Sequence, residues 1–436
     1  MITHAMLLLA LVTPGAPGDR LGDAVTVDHV FGHLKALQAI ADAHGGNRAA
    51  GLPGYDASAA YVASKLRDAG YTVELQPFAF DFYRELAPAL VRGSHAYKDA
   101  RTMHFSGSGD VTARPQRAGL GCTASDFTGF VPGRIALADR GTCTFEEKAK
   151  AATAAGAKAL VVIDPKETFD GSAGHPQHLP VVAVGPDTGE ELGGLRRLRV
   201  MTRTESEQRI THNVIAQTPG EGRVFMVGSH LDSRQEGPGI NDNGSGSAAV
   251  LEVALRTARL HPRRPVRFAW WGGEELGLLG SQHYVASLTP AERKQIRFYV
   301  NLDMIASPNY KFQIYDGDNS DGLGGGPFPK GSAGVERTLQ RYFVGHGLPY
   351  AGKAFDGRSD YGPFIAAGIP AGGLSTGAEQ LKTEDEAETF GGVAGEPLDG
   401  CYHQACDSLG NVDRKALEVN SAALANFVSH YAWPKS

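Results

Sequence analysis

The 436-residue chain is 42% hydrophobic and 21% charged, ordinary for a folded globular protein and long enough for two or three units. Its formal net charge is −6 and its basic residues are scattered, so it lacks the basic stripe of a nucleic-acid binder. No apolar stretch reaches the roughly 18–20 residues of a membrane span, and the 56 glycines point to an enzyme rich in tight turns.

The start, "MITHAMLLLALVTPGAPGDR", reads as a signal peptide over residues 1–18. Ala5–Val12 is a short apolar core, followed by small residues and prolines suited to cleavage, although no Lys or Arg precedes it. Residues 28–42 then carry a helical apolar period through Val30, Leu34, Leu37, Ile40 and Ala41. After a polar, glycine-rich turn, Asp56 or Ser58 is placed to cap a helix running to about Asp68. "AGYTVELQPF" follows as a glycine stop and a strand.

Composition shifts near residue 84. Residues 86–200 hold short β-like runs, the clearest being strand Arg134–Asp139, helix Phe145–Ala155 and strand Ala159–Ile163. This βαβ-like unit has no phosphate-binding glycine motif. From about residue 211 the apolar strands "HNVIAQTPG", "RVFMVGSHLDS", "VRFAWWGGEE" and "IRFYVNLDMI" alternate with helices such as Ser247–Ala258 and Gly280–Ser287. That pattern predicts an α/β domain with a mostly parallel sheet. The four cysteines allow three pairings, of which the local pairs Cys122–Cys143 and Cys401–Cys406 are topologically simplest. Two bridges fit an oxidising compartment and support export.

Acidic residues and histidines recur at the strand ends of this second half. His230 and Asp232 follow one strand, Asp242 lies in a glycine-rich loop before a helix, and Asp303 ends another strand. Glu274 and Glu275 stand side by side after "RFAWWGG", and His403 sits in "CYHQACDS". Taken singly, each reads as a surface residue, a cap or a turn. Together they supply a complete ligand count at the carboxyl ends of strands, where open α/β sheets gather ligands. Carboxylates crowded in one pocket raise each other's pKa, and cations reverse that cost. Two histidines with three carboxylates suit two Zn²⁺ ions about 3.5–4 Å apart, one carboxylate bridging, and a further carboxylate free to act as base.

With these residues in view, the chain resembles the di-zinc aminopeptidases of the secreted bacterial leucyl-aminopeptidase type. The likeness rests on "GSHLDS", "GINDNGSGSA", "WWGGEELGLLGS", "NLDMIASPN", "DGRSDYGPF" and "CYHQACDSLGNV", in that order. It implies a zinc-exopeptidase, phosphorylase/hydrolase-like fold, a mixed and mostly parallel sheet flanked by helices, over residues 19–83 and 206–436. It implies His230, Asp242, Glu275, Asp303 and His403 as ligands of two Zn²⁺, with Asp242 bridging, and Glu274 as general base. Asp232 would orient His230, Tyr402 would hydrogen-bond the oxyanion, and Arg358 would stand near the substrate's amino end. Met304 and Phe390 are the candidates for a hydrophobic side-chain pocket, with core packing as their plainer reading.

"CTASDF" and "GRIALADRGTCTFEEKAKAATAAGAKALVVID" resemble a β-rich protease-associated (PA) domain, inserted at residues 84–205. Such domains pair their two cysteines, which supports Cys122–Cys143. The expected partner is a peptide or protein N-terminus, met by a secreted monomer without a membrane span. A Ca²⁺ requirement stays open, with no motif assigned to it. The competing functions are another metallohydrolase on the same fold, such as a carboxypeptidase for acidic dipeptides or a one-zinc glutaminyl cyclase, and a non-catalytic peptide-binding protein. A carboxypeptidase of that kind needs a basic pocket, for which the nearby loops offer chiefly Arg358.

Overall fold

The computed structural model describes residues 17–324 and 326–434. The expected leader, residues 1–18, falls almost wholly outside them. The described residues divide into two compact units, one formed by those up to residue 78 together with those from residue 211 onward, and the other by residues 79–210.

The larger unit is built on a mixed sheet. Its central strand, Val224–His230, is buried along its whole length and pairs in parallel with Val266–Trp271 on one side and Ile296–Leu302 on the other. Ala371–Ser375 extends the sheet in parallel beyond Ile296–Leu302. Gln313–Tyr315 then joins antiparallel, and residues 214–217 pair antiparallel with Val266–Trp271. Strands covered on both faces read as continuous apolar runs, which is why these segments stood out in the sequence. One face packs under helices Val27–Ala43, Gly246–Leu260 and Arg414–Ala432; the other carries a smaller aromatic cluster including Trp271, Tyr299 and Phe364. The parallel strands all point their carboxyl ends to one edge, which fixes where the polar residues after them collect.

Helix Val27–Ala43 buries Val30, Leu34, Leu37 and Ala41, and the Thr26 hydroxyl caps it by accepting from the His29 N–H. The next helix differs from expectation. It spans Pro53–Asp68, so neither Asp56 nor Ser58 caps it. Pro53 starts it instead, its fixed φ suited to the first turn and its missing N–H no loss there. Ser58 bonds back to the Gly54 carbonyl within the helix, and Asp56 lies in the first turn, where the helix dipole favours an anion.

The smaller unit holds a five-stranded sheet. Ile135–Asp139, Ala159–Ile163 and Val181–Val184 run parallel, with Pro115–Arg117 parallel at one edge and Arg101–Thr102 antiparallel at the other. Helix Phe145–Ala154 crosses between the first two of these strands, begun by a capping box of Thr144 and Glu147. Disulfides join Cys122 to Cys143 in this unit and Cys401 to Cys406 in the larger one.

Candidate metal centre

The strand-end residues converge. His230 is the last residue of its strand, and its Nε2 lies 3.3 Å from Asp242 Oδ1 and 3.4 Å from Asp303 Oδ1. His403 Nε2 lies 3.3 Å from the other Asp242 oxygen and 3.1 Å from Glu275 Oε2. Two three-residue groups therefore form, His230–Asp242–Asp303 and Asp242–Glu275–His403, each with its ligand atoms within 4.8 Å of one another. Asp242 belongs to both. Glu274 lies outside both groups, with Oε2 3.8 Å from His230 Nε2.

The local sequence explains how each side chain arrives. The strand before the glutamates ends at Trp271, and after Gly272 and Gly273 the segment Glu274–Leu276 forms a single tight turn. Gly272 admits no side chain there, because a Cβ would stand 2.4 Å from the Tyr55 hydroxyl oxygen. Gly273 turns the backbone with φ of 69°, a region open to glycine. The Asp232 carboxylate then accepts from the main-chain N–H groups of Glu274 at 3.2 Å and Glu275 at 3.3 Å. His230 Nδ1 is 3.1 Å from the main-chain carbonyl of Asp232, whereas the nearer Asp232 carboxylate oxygen is 3.8 Å away. Asp232 thus meets the imidazole through its backbone and holds the glutamate turn with its side chain. A proton on Nδ1 leaves Nε2 as the free nitrogen facing the carboxylates.

Several residues that hold the centre escaped the sequence reading. Asn243 donates to Ser229 Oγ and to the Leu302 carbonyl, both at 2.8 Å, and accepts from the N–H of Met304. Asp407 accepts from the N–H groups of Asn241 and Asp242 at 2.8 and 2.9 Å. A buried chain leads to Asp303: Trp271 Nε1 donates to Tyr299 OH, and that hydroxyl donates to Asn301 Oδ1, both at 2.8 Å. Asn301 then donates to Ser359 Oγ at 2.7 Å, and Ser359 donates to Asp303 Oδ2 at 2.5 Å. Arg48 lies fully buried below the cluster and donates to the carbonyls of Leu231, Pro238 and Gly239. Asn243, Asp407 and Ser359 sit inside quoted motifs, so adjacency to a ligand was their only signal.

The electrostatics are those of a cation site. Burial pushes Glu275 up to about 8, with Asp242 adding to the push and the histidines opposing it. Burial holds Glu274 well above the usual carboxylate range, helped by Asp303 and Glu275. Burial alone would lower His403, but Asp242 and Glu275 lift it to about 9. Glu275 Oε1 is buried and has no hydrogen-bond partner. An orphaned carboxylate oxygen within a nitrogen/oxygen donor set fits two borderline cations such as Zn²⁺. A third acidic group, Asp316, Asp318 and Glu336, is engaged otherwise and assigns no Ca²⁺. Asp316 and Glu336 accept from nearby N–H groups, and Asp318 faces Arg337 at 3.5 Å.

The remaining expected residues fall around the centre unequally. The Tyr402 ring stacks on His403 with centroids 3.7 Å apart, and its hydroxyl accepts from Arg358 at 3.2 Å. Arg358 is itself paired with Glu379 at 2.7 Å. Met304 lines a cleft beside Asp303. Phe390 ends helix Glu384–Phe390 and packs half-buried against the main core instead.

Comparison with known proteins identifies the family. Residues 213–428 match the model of peptidase family M28, and residues 108–192 match the PA domain. An aminopeptidase of Pseudomonas aeruginosa is 44% identical over 427 residues, covering 91% of this chain and 79% of that protein. Leucine aminopeptidase 2 of Trichophyton rubrum is 36% identical over 431 residues, covering 96% and 87%. The structure of BSAP, a zinc aminopeptidase from Bacillus subtilis, superposes with a TM-score of 0.62 at 27% identity, covering 94% of this chain and 96% of that one. With its ligand-type residues paired around a shared aspartate, the chain belongs to peptidase family M28 and carries a PA domain.

Proposed function

We propose that this protein is a secreted two-zinc aminopeptidase that removes N-terminal residues from peptides. The observation that carries the reading is the pair of three-residue groups sharing Asp242. Relatives named aminopeptidase and leucine aminopeptidase support the activity, and two disulfides support an oxidising compartment. All five proposed ligands come from one chain, so a monomer holds the complete site.

His230, Asp303 and Asp242 would hold one ion, and His403, Glu275 and Asp242 the other. Two Zn²⁺ bound there would polarise the scissile carbonyl and lower the pKa of a water. Glu274, off the metals, accepts that water's proton and passes it to the leaving amine. Tyr402 donates to the oxygen that gains charge on the scissile carbonyl, and Arg358 keeps the phenol in place. Glu274 and Asp303 offer negative charge to a free α-amine, which restricts cleavage to the N-terminal bond. Met304, with a leucine aminopeptidase among the relatives, supports acceptance of large hydrophobic N-terminal residues.

Leucyl-p-nitroanilide should be hydrolysed, hydrolysis should stop with a chelator, and Zn²⁺ should restore it. Zinc-replete protein that cleaves only N-blocked peptides would overturn the reading. Ser359→Ala, which frees Asp303 from its hydrogen bond, should weaken zinc retention about 10–100-fold. Competition with a chromogenic chelator measures that loss, and an unchanged retention would remove Ser359 from the metal's support.

A further inference from the structure

Lys353 ends the short strand Ala351–Lys353, and it lines the cleft beside Asp303 together with Met304, Tyr315, Ser375 and Tyr402. Its Nζ makes one long hydrogen bond, 3.3 Å to Ser375 Oγ, and lies 5.6 Å from the centre of the Tyr315 ring. An ammonium has three donors, and a charge removed from water is costly unless it is paired. Among the described residues no carboxylate oxygen lies within 4.0 Å of Nζ.

The acids nearby are committed elsewhere. Asp356 accepts from Tyr361 OH at 2.6 Å and from the Arg358 N–H at 3.0 Å. Glu379 takes the Arg358 guanidinium, and Asp303 is held by Ser359 within the metal group. Burial lowers the pKa of Lys353; Asp303, Asp356 and Glu379 oppose that shift and Arg358 adds to it.

The geometry points to Lys353 as the residue that selects N-terminal side chains by charge: the cleft takes glutamate and turns away lysine and arginine. This rests on the aminopeptidase reading above and names its substrate class. Met304 and Tyr315 offer apolar wall to the methylenes of a glutamyl side chain. The ammonium completes its donor set on the terminal carboxylate, forming a charge-assisted hydrogen bond. A basic side chain would bring a like charge against the Lys353 ammonium, which has no carboxylate partner of its own among the described residues, while Asp303 and Asp356 on the same cleft are committed to Ser359, Tyr361 and the Arg358 N–H. A leucyl side chain meets the same wall without the terminal contact.

The test uses the zinc-loaded full chain with the p-nitroanilides of glutamate, leucine and lysine. The wild type should show kcat/KM for glutamate about 100-fold or more above lysine. Lys353→Met should lower the glutamate-to-leucine ratio about tenfold or more, the size of one lost hydrogen bond to a charged group. Lys353→Glu should shift the ratio of lysine to glutamate upward. A wild type that prefers lysine to glutamate overturns the inference, and that ranking decides even where a variant fails to fold. An unmoved glutamate-to-leucine ratio in a Lys353→Met enzyme that still cleaves leucine overturns it too. Hydrolysis of none of the three by the wild type would sink the aminopeptidase reading and this inference with it.

Discussion

Glu274→Gln should lower kcat by about 10²–10⁴-fold while the protein still binds two zinc ions per chain. Glutamine keeps the shape of the side chain and loses only the ability to take a proton. Glu274 lies outside both ligand groups, with Oε2 3.8 Å from His230 Nε2. Burial, with Asp303 and Glu275 close by, keeps its carboxyl well above the ordinary range, so a proton received there is readily held and then released. Its neighbour has the opposite expectation. Glu275→Gln should reduce zinc content by one equivalent, because Glu275 Oε2 stands 3.1 Å from His403 Nε2 with Asp242 in the same group. Elemental analysis of the two variants separates these roles. Loss of a zinc from the Glu274 variant would mean that the two residues have exchanged jobs.

Arg48→Met should destabilise the folded protein by about 3–5 kcal/mol, because three buried main-chain carbonyls lose their charged donor. Arg48 has no exposure, and its guanidinium donates to three main-chain carbonyls in the segments that carry Asp232 and Asp242. Burial lowers its pKa to about 10, still far above neutrality, and Asp232, Asp407, Asp242 and Glu275 all favour the charged form. Methionine fills much of the space and returns none of the donors, so the carbonyls lose partners that water cannot readily replace. The substitution also removes a buried positive charge that favours the ionised forms of Asp232, Asp407, Asp242 and Glu275. The deficit measured by urea denaturation should therefore be larger in chelator than in zinc, since bound metal stabilises the native state and offsets the repulsion. Equal deficits in the two conditions would reduce Arg48 to a packing residue.

The ease of reading this chain varied with how local each cause is. Val224–His230 and Ile296–Leu302 are buried on both faces, so their apolar runs announced them. His230, Asp242, Glu275 and Asp303 stood out because each is an ionisable group just where such a run stops or a glycine-rich loop turns, and His403 because it sits in a loop that the local pair Cys401–Cys406 could brace. Arg48 left no such trace. Its partners are carbonyl oxygens, which every residue carries, so nothing in the side-chain pattern near Leu231 or Gly239 marks them as its acceptors. The chain from Trp271 through Tyr299, Asn301 and Ser359 to Asp303 joins segments distant in sequence, and each member alone is an ordinary strand or loop residue. Phe390 shows the converse: an aromatic residue near the motifs packs against the core because its helix turns it that way. The helix at Pro53 began early because a proline favours the first turn more strongly than Asp56 or Ser58 favours a cap.

The centre draws its parts from far along the chain. The first proposed ligand is residue 230 and the last is residue 403, and the arginine beneath them is residue 48. No shorter stretch contains both three-residue groups. A chain still emerging from the ribosome therefore has no competent scissors. Cutting power appears only once the chain has been made as far as His403 and folded.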